Sequence, residues 1–447
     1  MRFLQAISVA VSYWKQPWTS ASSYQFSSPP TTDTKERDMT HIPHFTRRAA
    51  VLAAALGATL GAAPARAQGE PPIRIGISTA VQLQIGRDTR DGAQLAIDEI
   101  NAKGGLLGRK LAMVVADETE DPEKGISAIK KLTADEKVDA IVGGYTSGVV
   151  LAQLPHIAAA RTVYINVGAA SPAINAKVKQ NYEANKYIFR IGTLNSLHLA
   201  GGLVSYMTDY LHGELGMKKF AIVGESAKWV QDLIPVLKRG ATAKGLDVVM
   251  AETFDTGTTN FSPLLSKVKN SGAEYMVVIL SHASSDVLAK QWYDARIPVP
   301  YGGIDVKGQD TDFFERVGGK AVTAVAGNYI VRAPLSPRTL PFLDAFKARY
   351  KRETVYTGAG AYDAVHAWAD AVARANSVQA DAVIKALEKV DMPITTGRLQ
   401  LDDTHDVKAG PGLVNMLWVQ WQEGGKRVIL WPREARTGDF AKPQWMQ

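Results

Sequence analysis

Strand-like and helix-like segments alternate along the chain from Ile73 onward, and this alternation limits the possible folds more than any other feature. Apolar runs of strand length are separated by segments with the apolar spacing of helices. The clearest strand candidates are IRIGIS (73–78), AIVGG (140–144), TVYINVG (162–168), FAIVGE (220–225) and YMVVIL (275–280). Such alternation is typical of parallel sheets flanked by helices. Because the pattern restarts after YIFRIG (187–192), the sequence predicts an α/β protein with two doubly wound, Rossmann-like lobes.

The last third of the chain predicts a different mixture of elements. After the apolar stretch 321–331, helical spacing covers residues 340–350, 359–375 and 379–389. Two apolar segments around Glu423-Gly424-Gly425 then predict a β-hairpin. Three tryptophans of this hairpin, at positions 418, 421 and 431, are expected to pack in a core rather than to form a stacking surface.

The N-terminal part of the chain has the features of an export signal. RRAAVLAAALGATLGAAPARAQ (47–68) begins with two arginines, continues as an apolar run and ends on small residues. We therefore expect residues 1–67 to be a leader that is cleaved between Ala67 and Gln68, with Met39 as the true start. Arg47 and Arg48 are compatible with the twin-arginine route as well as the Sec route. A membrane anchor is the alternative, although the apolar run is short for a span.

The composition excludes several classes of function. The chain has 447 residues and no cysteine, so disulfides, catalytic thiols and Cys-ligated metals are excluded. Its formal net charge is +7, from 51 basic and 44 acidic residues. The predicted leader contains seven of the basic and three of the acidic residues. The mature chain therefore carries a net charge of +3, which is no basis for a nucleic-acid-binding surface.

No assembled catalytic or cofactor motif is found. The sequence contains no GxxxxGK[ST], no HExxH and no GxGxxG after a strand. Ser127 and Ser266 begin formal SxxK matches, but the companion motifs are missing. GESAK (224–228) lacks the last glycine of a nucleophile elbow. We therefore expect a protein that is not an enzyme and that carries no cofactor or metal, with an exported hydrolase acting through Ser226 as a remote alternative.

Two segments that follow predicted strands are candidates for a binding site. In an open α/β sheet, ligands bind beyond the carboxyl ends of the strands. Gly143–Gly144 could let the backbone approach a ligand closely, and Ser147 falls at the start of the next helix, where free N–H groups favour an anion. NVGAASP (166–172) offers a second turn with Ser171. Helix capping by the two serines is the alternative reading.

These segments together resemble the leucine/isoleucine/valine-binding family of periplasmic solute-binding proteins, which serve ATP-driven uptake systems. The resemblance runs from about Ile73 to the C-terminus and is most specific over residues 92–125, followed by VDAIVGGYTSG, YINVGAASP and residues 254–280. It implies the type I periplasmic binding fold, in which three chain crossings form a hinge between two lobes. The implied boundaries are 73–191 plus 330–405 for lobe 1, and 193–329 plus 411–447 for lobe 2.

The resemblance also implies roles for individual residues. Ser147 matches the serine whose hydroxyl holds the ligand carboxylate, and Gly168 matches the residue whose carbonyl takes the ligand amino group. Trp229 matches an aromatic residue that covers the ligand from the second lobe. Asp305, in YGGIDV, matches the acidic residue that pairs with the ligand ammonium. Tyr145 either forms part of the pocket wall or only caps the strand that precedes it.

Three positions depart from the family pattern. Ala170 stands where amino-acid binders usually have a threonine that reaches the carboxylate, and Ile85 stands where a tyrosine lines the pocket. His282, next to Ser281, falls where aromatic residues are common. Because of these departures, the sequence does not decide whether the ligand is a branched-chain or other amino acid, another small carboxylate, an amide or an aromatic acid.

The resemblance implies a function in uptake. We expect a periplasmic receptor, a monomer, that delivers its small-molecule ligand to an inner-membrane ABC permease and binds no nucleic acid. A periplasmic sensor that uses the same two lobes to signal to another partner is the alternative.

Overall fold

Residues 70–446 are described by a computed structural model, and they contain two large sheets. The first sheet has five parallel strands in the order β2-β1-β3-β4-β5. Its strands are β1 (Ile73–Thr79), β2 (Leu111–Asp117), β3 (Ala140–Gly143), β4 (Val163–Asn166) and β5 (Ile188–Arg190). The predicted leader and its cleavage site at Ala67/Gln68 lie outside the described residues.

The second sheet has seven strands in the order β14-β13-β10-β9-β8-β6-β7. The strands are β6 (Lys219–Glu225), β7 (Asp247–Phe254), β8 (Tyr275–Leu280), β9 (Tyr301–Asp305), β10 (Val325–Asn328), β13 (Leu417–Gln422) and β14 (Lys426–Trp431). The first five of these are parallel, whereas β13 and β14 form the predicted antiparallel hairpin at one edge. A small separate hairpin joins β11 (Asp391–Ile394) to β12 (Gly397–Gln400).

Helices separate the strands along the chain. In order they are α1 (Gln84–Ala102), α2 (Pro122–Lys130), α3 (Ser147–Ala160), α4 (Pro172–Gln180), α5 (Tyr182–Asn185), α6 (Ser196–Ser205), α7 (Lys228–Ala243), α8 (Ser262–Asn270), α9 (Ser284–Asp294), α10 (Phe313–Arg316), α11 (Thr339–Tyr350), α12 (Tyr356–Ala375) and α13 (Ala380–Leu387). The prediction of an α/β protein with parallel sheets and flanking helices is therefore confirmed. None of the helices in the described part of the chain is both long and apolar enough to span a membrane.

The chain passes between the two sheets at three places. It leaves the first sheet after β5, returns after β10 to form α12, which packs against α1, and leaves again between residue 407 and β13. The backbone of His405 still belongs with the first sheet, since its carbonyl accepts from the Arg190 N–H at 3.0 Å. Three crossings are the number that the resemblance implies for a hinge, and the lobe boundaries stay a prediction.

Helix α1 starts seven residues before the predicted start at Asp91. The sequence 84–90 contains several polar residues, which hid its helical character. Asp88 is nevertheless fully buried, because it pairs with Arg352 and accepts from the Val355 N–H at 2.8 Å. A polar helix start can thus lie in the core when a distant segment supplies its partners.

The three tryptophans of the hairpin β13–β14 pack as expected. All three are at most 7% exposed. The Trp418 ring stacks on Tyr206 with 4.2 Å between ring centroids, and Trp421 donates from Nε1 to the Gly308 carbonyl at 2.8 Å. The hairpin therefore extends the core of the second sheet and presents no stacking surface.

Candidate ligand-binding site

A cavity of about 530 Å³, counting its opening to solvent, lies between segments that follow strands of both sheets. The wall contains Tyr145, Thr146, Ser147, Gly168, Ala170, Thr193, Leu199, Ala227, Lys228, Trp229, Ser281, His282, Ile304, Val306, Gln309, Tyr329 and Tyr356. The carboxyl ends of β3, β4, β6, β8 and β9 thus face one cavity, as expected for open α/β sheets.

The structure brings six of the seven predicted site residues together in this wall. They are Tyr145, Ser147, Gly168, Ala170, Trp229 and His282. Asp305 does not belong to the wall. Two further residues were discussed from the sequence: Ile85 is buried away from the cavity, and the Ser171 hydroxyl is used elsewhere, as described below.

Asp305 faces away from the cavity, because its neighbours Ile304 and Val306 occupy the wall and side chains alternate along a strand. Both carboxylate oxygens of Asp305 accept from Ser285 Oγ, at 2.8 and 2.6 Å, and Oδ1 also accepts from the Gly308 N–H at 3.0 Å. Burial raises the pKa of Asp305 to about 6 despite these hydrogen bonds. Its observed partners fix the loop after β9.

The start of α3 presents two hydroxyl groups to the cavity. Ser147 is buried, and its Oγ accepts from the Ser171 N–H at 3.1 Å, which leaves its proton available for a ligand. Thr146 precedes the helix, and within residues 70–446 its buried Oγ1 has no hydrogen-bond partner. Free N–H groups and the helix dipole favour negative charge at this position. The two hydroxyls can therefore donate to an anionic group.

Gly143 and Gly144 do not belong to the wall, so the expectation that they let the backbone approach a ligand is wrong. Both have positive φ, +152° and +79°. A Cβ on Gly143 would lie 1.9 Å from the carbonyl oxygen of Ser78 on the neighbouring strand. A Cβ on Gly144 would lie 2.3 Å from the Tyr164 hydroxyl. The glycines are needed for close packing of β1, β3 and β4, and they set the position of the segment that follows.

Replacement of Gly143 by alanine is expected to lower the free energy of unfolding by more than about 1 kcal/mol, since both the backbone conformation and the space oppose a side chain. Gly148 is the matched control. It lies inside α3, nothing lies within 4 Å of its added Cβ, and alanine is favoured over glycine in a helix. Urea unfolding of both variants tests this, and equal stability of Gly143→Ala and wild type would contradict it.

The turn Gly168–Ser171 is held by Arg190, a residue that sequence reasoning did not assign to the site. Arg190 is fully buried; Nη1 donates to the Ala169 carbonyl, and Nη2 donates to the Ser171 carbonyl at 2.8 Å. Its Nε lies 2.9 Å from a carboxylate oxygen of Asp406. Arg190 therefore joins the first and third chain crossings to the cavity wall.

Trp229, Ser281 and His282 form a connected group on the side of the second sheet. Trp229 Nε1 donates to Ser281 Oγ at 3.1 Å, and Ser281 Oγ in turn donates to Glu225. The Glu225 carboxylate also lies 2.8 Å from His282 Nδ1. Burial alone would lower the pKa of His282, but the hydrogen bond to Glu225 and its charge raise the pKa above the ordinary value. His282 therefore gains positive charge more readily than a free histidine.

Two hydrogen bonds connect the sides of the cavity. The Tyr145 hydroxyl donates to the Ser281 carbonyl at 2.7 Å. The Ser171 hydroxyl donates to Asp232 Oδ2 at 2.6 Å, and Asp232 also pairs with Lys228. Ser171 is thus part of a contact between the first-sheet turn and α7, and it does not replace the threonine hydroxyl that Ala170 lacks.

Glu118 lies beneath the turn that carries Tyr145. Its carboxylate accepts from Ser78 Oγ at 2.9 Å, from Gln153 Nε2 at 3.0 Å and from the Tyr145 N–H at 3.2 Å. Complete burial outweighs these hydrogen bonds and raises the pKa of Glu118 from 4.5 to about 7. The folded protein therefore holds the Glu118 proton more tightly than the unfolded chain does.

The contribution of Glu118 to stability is expected to be present below pH 4.5 and to be lost as the pH rises to about 7, because the folded-state pKa is the higher one. The shift corresponds to about 3 kcal/mol. Glu118→Gln has no carboxyl proton to lose. As the pH rises through this window, the free energy of unfolding of wild type should therefore fall relative to that of Glu118→Gln. Exposed Glu123→Gln is the control. Parallel stability–pH curves for wild type and Glu118→Gln would contradict the prediction.

The described residues offer no group of three or more His, Asp or Glu side chains that could hold a metal ion. Ser226, the serine of the near-miss nucleophile elbow, is exposed and does not belong to the cavity wall. Its backbone N–H donates to the Phe254 carbonyl at 2.8 Å. The geometry of this part of the chain therefore adds nothing to the hydrolase hypothesis.

Comparisons with known proteins agree with this architecture. The periplasmic binding protein family model matches residues 72–426. The chain is 26% identical over 327 residues to the Leu/Ile/Val-binding protein BraC3 of Rhizobium johnstonii. The matched region covers 72% of this chain and 84% of the relative.

Solved structures share the fold. One is the branched-chain amino acid transporter substrate-binding protein LivJ of Streptococcus pneumoniae in complex with isoleucine (TM-score 0.70, 23% identity, 81% of this chain and 100% of that chain). Another is an R. palustris ABC-transporter solute-binding protein in complex with benzoate (TM-score 0.67, 18% identity, covering 80% of this chain and 96% of that chain). With the family match over most of its length and this shared architecture, the chain belongs to the periplasmic binding protein family.

Proposed function

We propose that this protein is the substrate-binding component of an ABC uptake transporter and that it binds a small carboxylate in the cavity described above. The observation that carries the proposal is the convergence of both sheets on one cavity with hydroxyl donors at the start of α3. Family membership and relatives named as Leu/Ile/Val-binding proteins support it.

In this proposal the two lobes comprise residues 73–191 plus 330–405 and 193–329 plus 411–447, and they close around the ligand by a hinge motion. The hydrogen bonds from Tyr145 to Ser281 and from Ser171 to Asp232 hold the closed arrangement. The carboxylate of the ligand binds to the hydroxyl of Ser147, and Trp229 covers the ligand from the opposite side. Export by the N-terminal signal places the receptor in the periplasm, where it meets its membrane permease as a monomer.

The test of this function is the solute that the protein carries and recognises. The protein is isolated from the periplasm, and its bound solute is released by unfolding and identified by mass spectrometry. After refolding, a library of small acids, amino acids, sugars and polyamines is screened for a rise in melting temperature, since a ligand stabilises the folded state by mass action. Absence of both a released solute and any thermal shift would overturn the proposal.

A further inference from the structure

The polar atoms of the aromatic side chains in the cavity wall are engaged by the protein itself. The Tyr145 hydroxyl donates to the Ser281 carbonyl at 2.7 Å, and Trp229 Nε1 donates to Ser281 Oγ at 3.1 Å. The Tyr329 hydroxyl accepts from the Leu194 N–H at 3.2 Å. The rings therefore offer the ligand their apolar faces, and Leu199, Ile304 and Val306 extend this apolar surface.

The two acceptors that a ligand amino group would need are also engaged. The Tyr356 hydroxyl lies 3.4 Å from the Gly168 carbonyl oxygen and donates to it. Asp305 faces away from the cavity and accepts from Ser285 and from the Gly308 N–H. The Gly168 carbonyl oxygen therefore has one of its two acceptor positions occupied, and Asp305 does not face the cavity. Neither group offers a ligand ammonium a carboxylate partner in the wall.

Other carboxylates do not replace them. Across the described residues 70–446, no Asp or Glu belongs to the wall of this cavity. Glu225 uses its oxygens for Ser281, for the His282 N–H and for the His282 ring. The charged side chains that do reach the wall are Lys228 and the partly buried His282, which pair with Asp232 and Glu225 outside the wall. An ammonium has three N–H donors, so Lys228 can still donate to a ligand, and the wall itself presents charged donors without a carboxylate.

From this distribution, and resting on the proposed function, we infer that the ligand is a small monocarboxylic acid with an apolar aliphatic or aromatic body and without an ammonium group. A buried ammonium without a carboxylate partner is strongly disfavoured, whereas a carboxylate finds donors at Ser147, Thr146 and Lys228. The preference separates this cavity from one built for α-amino acids.

One buried carboxylate needs a direct check. Asp310 follows the wall residue Gln309 and is 3% exposed; its Oδ2 lies 3.3 Å from Arg316 Nη2, and its Oδ1 has no hydrogen-bond partner within the described chain. Asp310 does not belong to the wall. If the ligand did carry an ammonium group, a rotation of this side chain would be the way to pair with it, so Asp310→Asn distinguishes the two cases.

Pairs of acids that differ only in the α-ammonium group test the inference by calorimetry on the refolded periplasmic protein. The pairs are 4-methylpentanoate with L-leucine and 3-phenylpropanoate with L-phenylalanine. We expect at least one of the simple acids to bind ten or more times tighter than its amino acid. The uncharged 4-methylpentanamide should bind at least tenfold more weakly than 4-methylpentanoate. Lys228→Met should weaken binding of the acid tenfold or more, whereas exposed Lys238→Met on the same helix should not.

Three outcomes would overturn the inference. Equal or tighter binding of the amino acids than of the simple acids would do so. If Asp310→Asn then lost the binding of the amino acids, Asp310 would be the residue that pairs with the ligand ammonium. Recognition of a sugar or a polyamine, with none of the four acids bound, would overturn the inference and the carboxylate part of the proposed function, but the role as a substrate-binding component would stand. No bound solute of any class would overturn both.

Discussion

Replacement of Arg190 by methionine is expected to lower the free energy of unfolding by about 3–5 kcal/mol, because it leaves a buried charge without its partner. Arg190 has no exposed side-chain surface, and Asp406, 2.9 Å away, is 3% exposed. The carbonyl oxygens of Ala169 and Ser171 would each lose the guanidinium donor in the same step and keep only one donor, from Asn166 and Ile174 respectively. Since these carbonyls flank Ala170 in the cavity wall, affinity for ligand should fall together with stability.

A second variant separates the lost ion pair from the lost packing. In Arg190→Met/Asp406→Asn the uncompensated charge is removed, while the side-chain oxygen of residue 406 can still accept from the Val407 N–H. We expect the double variant to recover part of the stability lost in the single one. Arg374→Met is the surface control, since Arg374 and its partner Asp370 are both more than a third exposed, and such pairs contribute at most about 1 kcal/mol. Chemical unfolding measures all three, and equal losses in Arg190→Met and Arg374→Met would contradict the argument.

The layered part of the fold could be predicted from local sequence. Buried parallel strands are apolar along their whole length, so the apolar segment Tyr275–Leu280 alone predicts a strand. In the structure, β8 spans the same residues. The start of α1 could not be predicted in this way. Asp88 is compatible with a buried helix only because Arg352 and Val355 come to it from a segment more than 260 residues later.

The site was predictable where backbone position alone decides it. Ser147 and Gly168 follow strands of one parallel sheet, and the carboxyl ends of such strands meet at the same edge. Asp305 shows the limit of this reasoning, since a shift of one residue along a strand reverses the side on which a side chain lies. Ile304 and Val306 occupy the cavity wall, and Ser285 supplies the hydroxyl that holds Asp305 on the other side. Neither fact can be derived from YGGIDV by itself.

Arg190 was missed for a related reason. An arginine at the end of a short apolar strand is usually a solvated residue, and Lys and Arg are rarely buried without a partner. The partner here is Asp406, contributed by the third chain crossing, and the acceptors are backbone carbonyls that carry no signal in the sequence. The segment YIFRIG therefore indicated where the strand–helix pattern restarts, whereas the role of its arginine became visible only in the three-dimensional structure.

Truncation of Trp229 to alanine is expected to have the largest effect on ligand affinity among single substitutions in the wall. The Trp229 side chain is 7% exposed and lines the cavity, and its ring area is lost in the variant. Buried tryptophans at binding surfaces commonly contribute 2 kcal/mol or more, which corresponds to a weakening of roughly thirtyfold or greater. The binding constant is measured by calorimetry with the solute that raises the melting temperature most.

Trp229→Phe is the matched variant that separates ring contact from hydrogen bonding. Phenylalanine keeps an aromatic face toward the ligand but cannot donate to Ser281 Oγ, as Nε1 does at 3.1 Å. The loss of a neutral hydrogen bond contributes about 0.5–1.5 kcal/mol, so Trp229→Phe should weaken binding by about tenfold or less. The expected order of affinity is therefore wild type, Trp229→Phe, Trp229→Ala. A folded Trp229→Ala variant with wild-type affinity would show that this ring does not cover the ligand, and the assignment of α7 to the binding site would be lost with it.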